Sequence, residues 1–218
     1  MFNNFEKKRV ISKEKTAGYF VDFSKILEEC SLREKELKSF GVKAHGVKIN
    51  PVAGEEEILK FEKKFGMKLP EDFRYFLKNV GNGCTTPGFS VFSISQIEDH
   101  MFNFFNQKKE EPLFFDETLT REKWVGLVDK IDESCGHDEI LLIREMMAGT
   151  IDIGTFGDSY DLLLTCRGNT EGSVIFFDWS FIKNNEPKNT VSSFEEWLTG
   201  NLLSYMKEND DQLRMFRS

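Results

Sequence analysis

The chain has 218 residues, 39% of them hydrophobic and 30% charged, which is ordinary for a globular protein with one sizeable core and an extension. Its 37 acidic residues outnumber 29 basic ones and leave a net charge of −8, which argues against nucleic acid as the main ligand, because phosphate binding needs clustered lysine and arginine. An acidic balance serves solubility, and it also suits a basic protein partner.

From the N-terminus, residues 1–20 read as a polar, weakly basic lead-in with Lys7, Lys8, Arg9, Lys13 and Lys15. No uninterrupted apolar stretch follows them, so no secretory signal is expected. Asp22 is placed to cap a helix over Phe23 to Phe40, with Ile26, Leu27, Leu32, Leu37 and Phe40 as its rough apolar face and Gly41 as its stop. Residues 42–52 then form a linker. This gives an N-terminal extension over 1–50 with one helix, followed by a domain over 51–218.

Two capped helices come next. Glu55, Glu56 and Glu57 put negative charge at the positive end of the first, whose stripe is Ile58, Phe61 and Phe65 and whose stop is Gly66. Pro70 opens the second with Glu71 and Asp72 in its first turn, and Phe73, Phe76, Leu77 and Val80 repeat the spacing of a buried helical face.

After Gly83 the pattern turns extended. Gly88 to Ile94 reads as a strand, Gln96 to Phe105 as a short helix, and residues 106–123 as a polar insertion containing Pro112. Further strands are expected over Trp124 to Val128, Ile140 to Ile143, Leu162 to Cys166 and Val174 to Asp178. The Arg167 to Gly172 loop has hairpin composition, which implies antiparallel pairing. Ser193 and Glu196 write a capping box for a last helix lined by Phe194, Trp197, Leu198, Leu202 and Tyr205. Helices at both ends of a strand block predict an α+β fold, an antiparallel twisted sheet flanked by N-terminal and C-terminal helices.

Chemistry is sparse. His45 and His100 read as solvated surface imidazoles. His137 lies among Asp129, Asp132, Glu133, Cys135, Asp138 and Glu139, but the spacing matches neither a calcium loop nor a zinc pair, so residues 129–139 read as an acidic loop. Gly154-Thr155-Phe156-Gly157 reads as a tight turn rather than a phosphate cradle, and no nucleophile elbow is present. Neither catalytic residues, a metal site nor a cofactor is assigned. Cys30, Cys84, Cys135 and Cys166 form no C-x-x-C pair and read as reduced thiols filling a core. With no run approaching the roughly twenty apolar residues of a membrane span, a cytoplasmic chain is expected.

Five carboxylates flank the apolar strands: Asp152, Asp158, Asp161, Glu171 and Asp178. Individually Asp158 and Asp161 could satisfy turn amides. As a group the five are the candidate surface for a basic protein partner, because carboxylates held on a sheet pair with lysine and arginine without much reordering.

The string Glu55, Ile58, Phe61-Glu62, Gly66, Leu69-Pro70, Asp72-Phe73, Phe76-Leu77 and Gly81 resembles the opening of the Smi/Knr domain of the SUKH superfamily. Gly154 to Asp158, Asp161 to Leu164, Gly172 to Asp178 and Ser193 to Leu198 resemble that family's later strands and closing helix, in order, so the likeness covers roughly residues 52 to 205. The resemblance implies a SUKH-like fold and binding rather than catalysis. Bacterial members are regarded as immunity proteins that neutralise toxins, many of them nucleases, by occluding them. A regulatory scaffold of the same family is the second reading, and a hydrolase with unrecognised groups the third.

Overall fold

In a computed structural model, the described residues are 20, 23–37, 46–101, 120–133, 142–143, 146, 148–157, 159–168, 170–180 and 193–217, without the side chains of 33–37, 101 and 208–217. The helices are α1 (Phe23–Leu37), α2 (Glu55–Phe65), α3 (Glu71–Tyr75), α4 (Ile94–Met101), α5 (Arg121–Glu133) and α6 (Phe194–Arg217). The strands are β1 (Lys48–Ile49), β2 (Cys84–Thr85), β3 (Ser90–Val91), β4 (Thr150–Gly157), β5 (Tyr160–Thr165) and β6 (Val174–Asp178). They make one sheet in the order β1-β2-β3-β4-β5-β6, with every neighbouring pair antiparallel. The α+β architecture expected from the sequence is therefore the one formed.

The two helices after Gly54 follow their caps. Gly66 ends α2 in the left-handed region at φ 63°, where its N–H and that of Met67 both return to the carbonyl of Glu62. Pro70 takes the cap position of α3, one residue earlier than a first helical position. Beyond Tyr75 the helix widens to a π turn over Phe76–Val80, closed by the Gly81 N–H on the Phe76 carbonyl. The chain before α2 also returns here, since the Ala53 N–H donates to the Leu77 carbonyl at 2.8 Å.

Asp72 explains a polar residue in this apolar run. It is only 6% exposed, and its carboxylate accepts from the N–H of Phe73 at 2.8 Å and from that of Glu195, in the first turn of α6, at 3.2 Å. One side chain thus satisfies an otherwise orphaned amide of a distant helix. The reciprocal Ser193 and Glu196 bonds, both 3.4 Å, complete the capping box on the same helix. Burial pushes the Asp72 carboxyl above its ordinary range despite these donors.

One face of the sheet carries the larger core. Ile151, Ile153, Leu162, Leu164 and Val174 meet Ile58, Phe61, Phe73, Phe76 and Leu77 from the two helices, and Phe194, Trp197 and Leu198 from α6. Phe20, Phe23, Leu27 and Cys30 are buried in the same core. Phe20 and Phe23 lie 5.5 and 5.7 Å from Phe76 between ring centroids, and Phe194 is 4.8 Å from Phe73. Phenylalanine abundance has its reason here, in an edge-to-face cluster gathering rings from α1, α3, the π turn and α6.

The opposite face carries a smaller core, in which Leu163, Ile175 and Phe177 pack with Trp124, Val128 and Ile131 of α5 and with Met146. This corrects the strand expected over Trp124 to Val128. Its β-prone residues are also spaced i, i+4, i+7 with Ile131, and burial of that stripe outweighs strand propensity. Asp129 to Glu133 consequently belong to this helix, not to a loop, whereas residues 134–139 lie outside the described set. Leu142 and Ile143 are helical, so the strand expected there is absent at those two positions. The expected strand Gly88 to Ile94 is reduced to Ser90–Val91, because Ile94 already opens α4.

Gly154 to Gly157 form no tight turn; they continue β4, with register shifts around Ile153 and Phe156. The reason is close approach. A Cβ on Gly154 would sit 2.1 Å from the Ser90 carbonyl oxygen, so only glycine lets β3 and β4 meet there.

Candidate functional site

The three long strands, β4, β5 and β6, contain three carboxylates, Asp152, Asp161 and Asp178, and neither lysine nor arginine. Alternation sorts these acids. Asp152 lies opposite Leu163 and Asp161 opposite Phe177, so both point to the smaller-core face. Asp178 lies opposite Tyr160 and takes the other face.

On the smaller-core face the acids meet groups from two further segments. His100, at the end of α4, places Nδ1 3.2 Å from Asp152 Oδ2, while its ring packs on Phe92 at 4.4 Å between centroids. Helix α4 packs along β4 beyond the short β3, burying Ile94 and Ile97 in the larger core while its last turn reaches across to Asp152. Trp179 Nε1 donates to Asp161 Oδ2 at 2.5 Å, and the Gly154 N–H donates to Asp152 Oδ1 at 3.2 Å.

This arrangement costs charge. Burial, reinforced by the Asp161 carboxylate, pushes Asp152 from 3.8 up to about 8. Burial raises Asp161 as well, opposed by the Trp179 hydrogen bond and by His100. Near neutrality Asp152 therefore holds a proton, and the two carboxyls act as a pair carrying less than two charges. With Asp152 protonated, its contact with His100 Nδ1 is a hydrogen bond.

The other predicted acids are dispersed. Asp178 Oδ1 accepts from the Ser180 N–H at 2.9 Å and from Ser159 Oγ at 3.2 Å, pinning the strand ends of β5 and β6. Glu171 is exposed in the β5–β6 turn, its N–H on the Gly168 carbonyl. Asp158 lies outside the described residues. Asp161 makes no Asx turn; its bond goes to the Trp179 indole.

The sequence reading takes His100 only as a solvated surface imidazole and does not single out Trp179. His100 is about half exposed, as a surface imidazole would be, but it is also held against the half-buried Asp152. Trp179 directly follows Asp178 and so had a local signal, an aromatic donor at a strand end.

Among the described residues no group of three or more His, Cys, Asp or Glu side chains converges to hold a metal ion, and no helix is long and apolar enough to cross a membrane. Burial drives the Cys84 thiol up to about 12 and the Cys166 thiol higher still, so neither is poised as a nucleophile at neutral pH.

Comparison with family models matches residues 53–200 to the SMI1 / KNR4 family (SUKH-1), a span that begins one residue before Gly54 and ends within α6. No curated protein gives a significant match.

Proposed function

Because the chain belongs to the SMI1 / KNR4 family (SUKH-1), we propose that it is a binding protein of the immunity type, which neutralises a cognate toxin by covering the toxin's working surface. Family membership is consistent with an immunity-type or protein-interaction role. The single observation that carries the finer reading is the charge of the sheet. Its long strands carry Asp152 and Asp161 on one face and Asp178 on the other, with no lysine or arginine among them.

A nuclease attracts phosphate with a basic groove, and carboxylates fixed on a sheet face engage the same groove by the same field. The carboxylates are already held by Trp179, Ser159, Ser180 and backbone amides, so little side-chain order is lost on binding. Asp152 sharpens this: a cation arriving beside it favours the ionised form, so binding releases a proton.

The decisive measurement is protection. Cells expressing the toxin encoded beside this gene survive when the chain is co-expressed, and the two proteins co-purify as a complex whose affinity falls as salt rises. Survival no better than with an empty vector sinks the reading.

A further inference from the structure

Resting on that binding reading, we propose that the exposed Phe176 ring, stacked on half-buried Tyr160 with Asp178 beside it, is the docking point for an arginine of the basic partner. These three residues share one face of the β5–β6 pair. Tyr160 lies opposite Asp178, and Phe176 is two residues before Asp178 on the same strand. The face is the one that buries Val174 and Leu162 further along, whereas Phe176 is exposed.

Phe176 is 44% exposed, an unusual position for a ring in a chain that buries so many others. Isolated exposed apolar residues carry no meaning, but Phe176 is not isolated. It stacks on Tyr160 at 4.8 Å with 25° between planes and meets Phe156 edge-on at 5.0 Å. Phe156 in turn lies 5.5 Å from Phe89 and 6.3 Å from Trp197, and Trp197 6.1 Å from Phe194. A continuous line of rings therefore runs from the buried centre to the surface and fixes Phe176 in place. An aromatic held that way loses little entropy on binding, which is what makes a residue dominate an interface.

The chemistry selects the occupant. An aromatic face attracts a cation, a planar guanidinium stacks on it better than an ammonium does, and an adjacent carboxylate gives that guanidinium a charged acceptor. Asp178 provides the carboxylate, and its serine and amide donors fix its orientation. A partner surface of opposite sign, presenting arginine, is what this patch complements.

The test uses the whole chain, isotope-labelled, titrated with N-acetyl-arginine amide and separately with N-acetyl-lysine amide while NMR resonances are followed. We expect saturable shifts centred on Tyr160, Phe176 and Asp178, stronger for arginine. Phe176→Ala and Phe176→Leu should each weaken arginine binding by about threefold to tenfold. The leucine variant keeps apolar bulk, and an unchanged thermal melt shows that its fold is intact. Equal response to the two amides, shifts spread evenly over all carboxylates, or an unaffected Phe176→Leu variant overturns the proposal. So do shifts at the same rings that grow with protein concentration alone, which would assign the patch to a second copy of the chain.

The protection assay keeps this separate from the broader reading. If the unaltered chain protects cells and Phe176→Ala protects equally, the patch is refuted and the immunity reading stands. If arginine binds at the rings but the unaltered chain protects nothing, the reverse holds.

Discussion

The two faces of the sheet are built on opposite principles. The larger-core face is closed by phenylalanine from four chain segments and accounts for itself by burial, and the buried acid Asp72 serves there to cap a helix. On the smaller-core face Trp124, Val128 and Ile131 make a similar apolar layer, yet beside it stand Asp152 and Asp161, pushed toward neutrality by their surroundings. Bringing two carboxyls together away from water costs stability, offset in part by the Gly154 and Trp179 donors. The second face therefore carries an electrostatic cost that the first does not.

The largest blow to this contrast comes from removing a central ring. Phe194→Ala takes away a side chain buried against Phe20, Phe73 and Phe76, and should cost about 3–5 kcal/mol in urea or thermal unfolding. A loss below about 1 kcal/mol would mean that this face is not the stabilising one.

Asp152→Asn tests the other side. With its folded carboxyl raised from 3.8 to about 8, the folded state binds more protons than the unfolded state between those values, so stability falls as pH rises from about 4 to 8 and then levels off. Asparagine keeps the acceptor for Gly154 and abolishes the titration. The variant should show a flatter stability profile and exceed the original by about 2–4 kcal/mol at pH 8 to 9. Parallel profiles would show that Asp152 is ionised in the folded protein and that the contrast in cost is false.

Asp72→Ala should have the smallest effect, about 1–2 kcal/mol, by uncapping α6 at Glu195. Amide exchange confined to the first turn of that helix is the expected signature. Global loosening would give Asp72 a larger role than a cap.

How much could be read in advance follows the same division. α2, α3 and the start of α6 were legible because their signals are local: acidic first turns, Gly66, Pro70, and the Ser193 and Glu196 box. β5 and β6 were legible from apolar runs around a hairpin loop. Helix α5 was not, since Trp124 to Val128 viewed alone favours a strand and only the partner at Ile131 reveals the helical period. Nor was the meeting of His100 with Asp152, which depends on α4 packing across β4 and on which sheet face Asp152 takes. Carboxylate positions were visible in the sequence; their sorting onto two faces needed the strand register.

Phe20 and helix α1 lie before the family-matched segment, yet Phe20 packs beside Phe194 and Phe23 beside Phe76, and the Phe20 N–H reaches Glu195 across a separation of 175 residues. During synthesis the early segment therefore has no finished seat until almost the whole domain has left the ribosome. Contacts of such long range are entropically late, so the helices around Gly66 can form while the chain is growing but the larger core closes only after synthesis passes Phe194. Until then its phenylalanines are exposed, and the nascent chain is a client for whatever shields apolar surface in the cell.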